Sequence, residues 1–268
     1  MGSEMCIRDS NETLDWQPST PGLCCSLAYD LTSDGNEYSA LPHRGPLQSS
    51  TTQVHLHLLQ PDDTKGSHYA TLNAAEQSQA QRFMFSKDQV LYAAAHHFVR
   101  TTLSRYADLD PAAWLFDKNA YGKPHIANPG YAELQYNLSH THGMVAIAVI
   151  RQRAIGVDTE QARPLNDIAS LSRSVFAISE RADVLACTGT AQQQRFFTYW
   201  TLKEAYIKAR GMGLSIPLQQ FHFIAGTPPL WHLTCDPGLN DNGADWYCRA
   251  FRVTEHYHVA CVVDRQLQ

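Results

Sequence analysis

An α+β fold is the class this 268-residue sequence predicts, and three observations carry that reading. Short apolar or alternating runs of strand length recur, at Val54–Gln60, Glu133–Leu138, Met144–Ile150, Gly156–Glu160, Phe221–Ile224, Leu230–Cys235, Tyr247–Val253 and His258–Val263. Longer stretches keep the helical period, at Lys87–Tyr106, Ile178–Cys187 and Gln192–Arg210. The helices and strands cluster separately in each half, and the last two strands read as a hairpin, so each half is expected to hold helices and a mainly antiparallel sheet.

Taken in order, residues 1–50 keep no period for long and are rich in Pro and Ser. They carry two basic and seven acidic residues, which is the whole formal charge of −5. They are expected to be a disordered or non-native extension. Residues 51–153 form an N-terminal half and residues 154–268 a C-terminal half, with the boundary near Arg151–Ile155. In the first half, Asn73 is placed to cap a helix running to Phe83, with Glu76 at the capping-box position. The following helix buries a stripe of Val90, Ala94, Phe98 and Thr101, and Asp117–Lys123 is a turn-rich loop. In the second half, the helix over 192–210 stops at Gly211-Met212-Gly213 with Pro217 beyond.

Composition excludes some functions. A pI near 6.2 argues against binding nucleic acid by bulk charge. The longest apolar run, Met144–Ile150, is far short of the ~20 residues that span a bilayer. Seven cysteines without a C-x-x-C spacing fit a reduced, cytoplasmic chain. The pairs His55/His57 and His256/His258 read as half-exposed strand faces rather than zinc ligands.

The chemistry concentrates in two places. Asp158 and Glu160, two apart in AIGVDTE, share a strand face with no base between them, so they repel unless a cation intervenes. In FFTYWTLKEAYIKARG, the charged Lys203, Glu204 and Lys208 adjoin an apolar face instead of opposing it. Glu204 would complete a Mg2+ site with Asp158 and Glu160, and Lys208 would face a bound phosphate. The plainer readings are a solvated strand end and a surface i,i+4 pair.

GVDTE followed by WTLKEAYIK resembles the paired signature Gly-x-Asp-x-Glu and Trp/Phe-x-x-Lys-Glu-x-x-x-Lys of the 4′-phosphopantetheinyl transferases. Tyr121–Pro124 (YGKP), Asn137–Thr141 (NLSHT) and Gly213–Phe221 (GLSIPLQQF) match further motifs of the larger, Sfp-type branch in the same order. The resemblance covers roughly Val54–Val263. It implies two similar halves related by a pseudo-twofold axis, with the active site in the cleft between them. It implies coenzyme A as donor, a serine of an acyl or peptidyl carrier protein as acceptor, and adenosine 3′,5′-bisphosphate as the leaving product. Asp158, Glu160 and Glu204 would hold Mg2+, or Mn2+ in its place. Glu204 would accept the serine proton, or a water held by a metal ligand would. Lys208 would stabilise charge on the phosphate. Lys118, Lys123, Ser139 and His140 match coenzyme A contacts. Lys203 reads as either a surface charge or a ligand contact.

One departure stands out. Ala75–Leu91, which is basic in relatives and helps hold the 3′-phosphate, has only Arg82 and Lys87, and Leu91 falls where Arg is common. Comparing coenzyme A with its 3′-dephospho form would show whether a dedicated 3′-phosphate site remains. The rival readings are a Mg2+-dependent hydrolase of nucleotide pyrophosphates, which would release free phosphopantetheine without a carrier, and a non-catalytic module that docks carrier proteins. A cytoplasmic monomer is expected, with no membrane or nucleic-acid partner.

Overall fold

The structure, a computed structural model, describes residues 13–14, 24–31, 38–42, 44–61, 68–227 and 229–268. In the first half the elements are β1 (Thr13–Leu14), β2 (Cys24–Asp30), β3 (Tyr38–Ala40), β4 (Gln53–Leu59), α1 (Ala74–Gln81), α2 (Ser86–Leu103), β5 (Phe116–Lys118), β6 (Pro124–Ile126), β7 (Leu134–Thr141) and β8 (Met144–Arg151). The second half holds β9 (Ile155–Gln161), α3 (Ile168–Val175), α4 (Ile178–Ala186), α5 (Gly189–Arg210), β10 (Phe221–Ala225), β11 (Leu230–Cys235), β12 (Trp246–Val253) and β13 (Tyr257–Asp264). The expected α+β class holds: each half has its own antiparallel sheet and its own helix layer.

One sheet runs β3-β2-β4-β8-β7 and the other β10-β11-β12-β13-β9, with the short β1 added in parallel beside β12. The two sheets pack face to face. Leu27, Leu56, Ala146 and Ala148 from the first meet Val157, Phe251, Val259 and Cys261 from the second in one core. The outer face of the first sheet packs on α2 through Ala95, Phe98, Val99 and Leu103. The outer face of the second packs on α5 through Leu202, Ala205, Tyr206 and Ala209. The order of layers is therefore helix, sheet, sheet, helix, and each element buries its apolar face once.

Local chemistry sets the helix ends. Asn73 and Glu76 form the expected capping box, each side chain accepting the other's backbone N–H at 2.9 Å. Gly211 closes α5 in the left-handed region at φ 64°, its N–H donating to the Ile207 carbonyl. Of the stripe expected on α2, Val90, Ala94 and Phe98 are buried and Thr101 is half-buried.

The structure departs from the sequence reading at three points. First, Cys24–Asp30 is no loose extension: it is an interior strand of the first sheet, with Cys25–Tyr29 buried. Strands covered on both faces lose the in-out alternation, and CCSLAYD therefore shows no period. The described parts of 38–50 also belong to the fold, β3 pairing with β2 and Leu47 buried. Residues 1–12, 15–23, 32–37 and 43 of that expectation lie outside the described residues. Second, α3 was not legible, because only Ile168 and Ser172 of its eight residues are buried.

Third, His55, His57 and His258 are buried, not half-exposed. Tyr106 Oη bridges His55 Nδ1 at 2.8 Å and His57 Nε2 at 2.6 Å, while His57 Nδ1 bonds Ser26 Oγ at 2.7 Å and His55 Nε2 bonds Gln53 Oε1 at 3.0 Å. Burial holds His55 and His258 down to about 4, and His57 well below the ordinary imidazole value of 6.5. Below about pH 6.5 the unfolded chain binds protons that the folded chain refuses, so stability falls with pH down to about 4. The slope is up to about 1.4 kcal/mol per pH unit for each histidine. Burial raises Glu160, Glu180 and Glu204, which offsets part of this loss. We expect the midpoint of urea unfolding to drop steadily from pH 7 to pH 5. A flat profile would contradict the buried neutral network.

β9 and α5 touch through Gly156. A Cβ there would lie 2.0 Å from the Ala205 carbonyl and 2.4 Å from the Ala209 amide, both backbone atoms that cannot step aside. Gly156→Ala is expected to cost about 1–3 kcal/mol, as overpacking does. It should also push α5 off β9, so that activity falls by more than the unfolded fraction explains.

Candidate active site

Asp158 and Glu160 lie on β9 and Glu204 and Lys208 on α5, two elements in contact at Gly156. Asp158 is buried; Glu160, Glu204 and Lys208 are half-buried. Burial raises the Glu204 carboxyl, Asp158 and Glu160 raise it further, and Lys208 opposes them. Glu160 is raised by burial first and Asp158 next, against Trp200, Arg163 and Lys208. The three carboxylates thus act on one another from one neighbourhood at the junction of the two halves.

Lys208 Nζ donates to Asp158 Oδ1 at 2.6 Å and to Ser139 Oγ at 2.8 Å, and Ser139 Oγ donates to the same Oδ1 at 2.8 Å. Asp158 Oδ2 is buried with no hydrogen-bond partner among the described residues. Such an oxygen normally costs about 1–3 kcal/mol. Glu160 Oε1 accepts Trp200 Nε1–H at 3.1 Å. A set of carboxylate oxygens, one of them unpartnered, suits a hard divalent cation that also keeps water and phosphate ligands. The side chains are not closed into a cage: among the described residues, no three His, Cys, Asp or Glu groups are arranged to hold an ion.

NLSHT joins the halves. Asn137 Oδ1, Ser139 Oγ and Thr141 Oγ1 accept the backbone N–H groups of Val157, Thr159 and Gln161 at 2.9, 3.3 and 3.4 Å. Alternate side chains of β7 thus replace the carbonyls of a missing ladder along β9. Ser139 holds the Asp158 carboxylate while doing so. Asn137 and Thr141 were not anticipated; the signal for them was the polar alternation Asn-x-Ser-x-Thr within an apolar strand. His140 points to the other face, where it is exposed. Desolvation, then Lys208 and His96, hold its imidazole below the ordinary value, with Asp158 opposing.

The lysines divide. Lys118 is exposed on β5. Lys123 Nζ instead donates to the Ile155 carbonyl at 3.1 Å and the Ala209 carbonyl at 3.0 Å, and burial lowers it to about 8. Asn119 Nδ2 adds a bond to the Gly211 carbonyl at 2.7 Å. In this structure YGKP therefore clamps the C-terminal end of α5, where a cation also meets the negative end of the helix. Lys203 is neither a surface charge nor a ligand contact. It is fully buried, pairs with buried Glu180 at 2.8 Å, and donates to the Leu218 and Phe221 carbonyls at 2.7 Å each. Its partner lies more than twenty residues upstream on α4, so spacing within the motif could not reveal it. Arg82 and Lys87 are exposed, and Leu91 packs against the α2 core.

Comparison with known proteins matches this layout. A family profile described as the 4′-phosphopantetheinyl transferase superfamily covers residues 154–262, and one described as the N-terminal part of a 4′-phosphopantetheinyl transferase covers residues 60–152. The 4′-phosphopantetheinyl transferase HetI of Nostoc sp. is 34% identical over 184 residues, 67% of this chain and 77% of that protein. A phosphopantetheinyl transferase of Thraustochytrium sp. is 32% identical over 60% of each chain. The 4′-phosphopantetheinyl transferase Sfp of Bacillus subtilis is 30% identical over 56% of this chain and 65% of its own length. Two adjoining family matches on the two sheet-and-helix halves, and a relative aligned across most of its length, establish that the chain belongs to the 4′-phosphopantetheinyl transferase superfamily, in its Sfp-type branch.

Proposed function

We propose that the chain transfers the 4′-phosphopantetheine group from coenzyme A to a serine hydroxyl of an apo acyl or peptidyl carrier protein, with Mg2+, and releases adenosine 3′,5′-bisphosphate. One observation supports this reading above the others: three mutually repelling carboxylates and a lysine gather where the two halves meet. Asp158, Glu160 and Glu204 would hold the cation. When bound, Mg2+ supplies charge neutralisation to the pyrophosphate of the donor.

The chain's own residues do the rest. Glu204, or a water held by one of the metal-binding carboxylates, would take the serine proton as the serine oxygen bonds to the pantetheine-side phosphorus. The phosphorus–oxygen bond to the nucleotide breaks, and the electron pair leaves with adenosine 3′,5′-bisphosphate. Lys208 spends two of its three N–H donors on Asp158 and Ser139, leaving one for a phosphate oxygen. Ser139 keeps Asp158 oriented. Lys118 and His140 would reach the donor's phosphates, and Lys123 would do so with the N–H that its two carbonyl contacts leave over.

The setting we propose is a cytoplasmic monomer with its cysteines reduced; Cys24, Cys187, Cys235, Cys248 and Cys261 are free thiols, and no helix among the described residues is long and apolar enough to cross a membrane. The test is mass spectrometry of a panel of purified apo carrier proteins incubated with the chain, coenzyme A and Mg2+. A gain of one phosphopantetheine on any of them is the expected result. Free phosphopantetheine released without a carrier would favour hydrolysis and overturn the reading.

A further inference from the structure

A cavity of about 220 Å3 lies between the N-terminal half of α5 and strands β10–β13. Gln194, Arg195, Thr198, Trp231, Arg252 and His258 are among the residues that line it, and none of the site residues above does. At a liquid share of about 30 Å3 per water, it has room for roughly seven waters or one small organic molecule.

Its polar wall is incomplete in a specific way. Arg252 and His258 are direct partners across β12 and β13, so their side chains share a face. Thr198 Oγ1 donates its one proton to the Gln194 carbonyl at 2.9 Å, so it can only accept from His258 Nδ1 at 3.2 Å. The imidazole is therefore protonated at Nδ1, and Nε2 carries a bare lone pair. Burial and the Arg252 charge keep the ring neutral. His258 is 2% exposed, and Nε2 has no partner among the described residues; neither has the buried Nε–H of Arg252. One unpaired acceptor and one unpaired donor thus stand side by side, where buried polar groups are nearly always paired. Among the described residues, the lining includes two arginines and no carboxylate. Asp183 from outside the lining pairs with Arg195 at 3.1 Å, which leaves the Arg252 charge unmatched among the described residues.

A simple carboxylate would satisfy Arg252 but press an oxygen lone pair against His258 Nε2. A carboxamide would satisfy the pair but leave the guanidinium charge without a counter-charge. We propose that this cavity binds a small 2-hydroxycarboxylate, with the carboxylate on Arg252, the hydroxyl donating to His258 Nε2, and the apolar remainder against Trp231. The proposal is independent of the transfer reaction and would stand if that reading failed.

The experiment is calorimetric titration of the full chain with mandelate, phenylacetate and mandelamide, alongside the nitrogen resonance of His258 Nε2. Mandelate should bind roughly tenfold or more tightly than phenylacetate, the usual penalty for leaving a buried acceptor unpaired. The Nε2 resonance should move with mandelate alone. In His258→Phe the preference for mandelate should vanish, and in Arg252→Gln both acids should weaken; thermal unfolding shows that each variant is folded, and either alone suffices. Phenylacetate or mandelamide binding as tightly as mandelate would overturn the proposal. So would the absence of any heat or resonance change, which would mean a cavity holding water only.

Discussion

Asp158→Asn is expected to lower phosphopantetheine transfer by at least about 10²-fold while leaving the fold intact. Asparagine has the same shape, and its oxygen can still accept from Lys208 and Ser139 as Oδ1 does. What changes is the other atom. The buried Oδ2, which has no partner, becomes an amide nitrogen that cannot bind a cation. The loss should therefore be of rate, with the urea midpoint little altered, and added Mg2+ should restore little of it. Because Asp158 also raises Glu204 and Glu160, removing its charge should shift both carboxyls downward, which carbon-detected titration of the glutamates can follow. Near-full activity of this variant at ordinary Mg2+ would show that the three-carboxylate assignment is wrong.

Lys203→Met should be the most destabilising single change in the motif, by about 3–5 kcal/mol, even though Lys203 neighbours Glu204 in sequence. Both Lys203 and Glu180 are fully buried, and desolvation opposes both charges, lowering the lysine and raising the glutamate. Their pairing, with the Leu218 and Phe221 carbonyls on one side and the Ala177 and Phe223 amides on the other, is what makes the burial tolerable. Removing only the lysine leaves Glu180 without its charge partner. Lys203→Met combined with Glu180→Gln should recover much of the loss, since glutamine keeps an acceptor for the Phe223 amide and carries no charge. Additive losses in that double-variant cycle, read by urea unfolding, would mean that the pair is not coupled. The same pair ties α4 and the start of β10 to α5, so the motif lysine holds the helix that presents Glu204 and Lys208 without touching substrate.

How far the site was legible follows from distance along the chain. Gly156, Asp158 and Glu160 fall within five residues, and Glu204 and Lys208 within one turn of a helix. Local periodicity therefore assigns each group its strand or helix face, and the charge pattern raises the expectation of a cation. The strand ladders around β8, β9, β12 and β13 were readable for the same reason. β2 was not, because burial on both faces erases the alternation that marks a strand. Lys123 and Lys203 were not either. A lysine in a turn or beside a carboxylate has the same sequence signature whether it meets solvent, phosphate or a buried carbonyl. Which of these it meets depends on the elements packed against it: Ala209 and Ile155 for Lys123, Glu180 and Phe221 for Lys203.

The sequence alone determined the α+β class, the family resemblance, the helix caps at Asn73 and Gly211, and the two carboxylate-bearing segments. All of these rest on residues near one another in the chain. Only the tertiary structure decided that Asn137, Ser139 and Thr141 stitch β7 to β9, that Lys208 rests on Asp158, and that Lys203 is buried against Glu180. The physical reason is that hydrogen bonds and ion pairs between distant segments depend on which faces the two sheets and α5 bury against one another, and no local pattern encodes that choice.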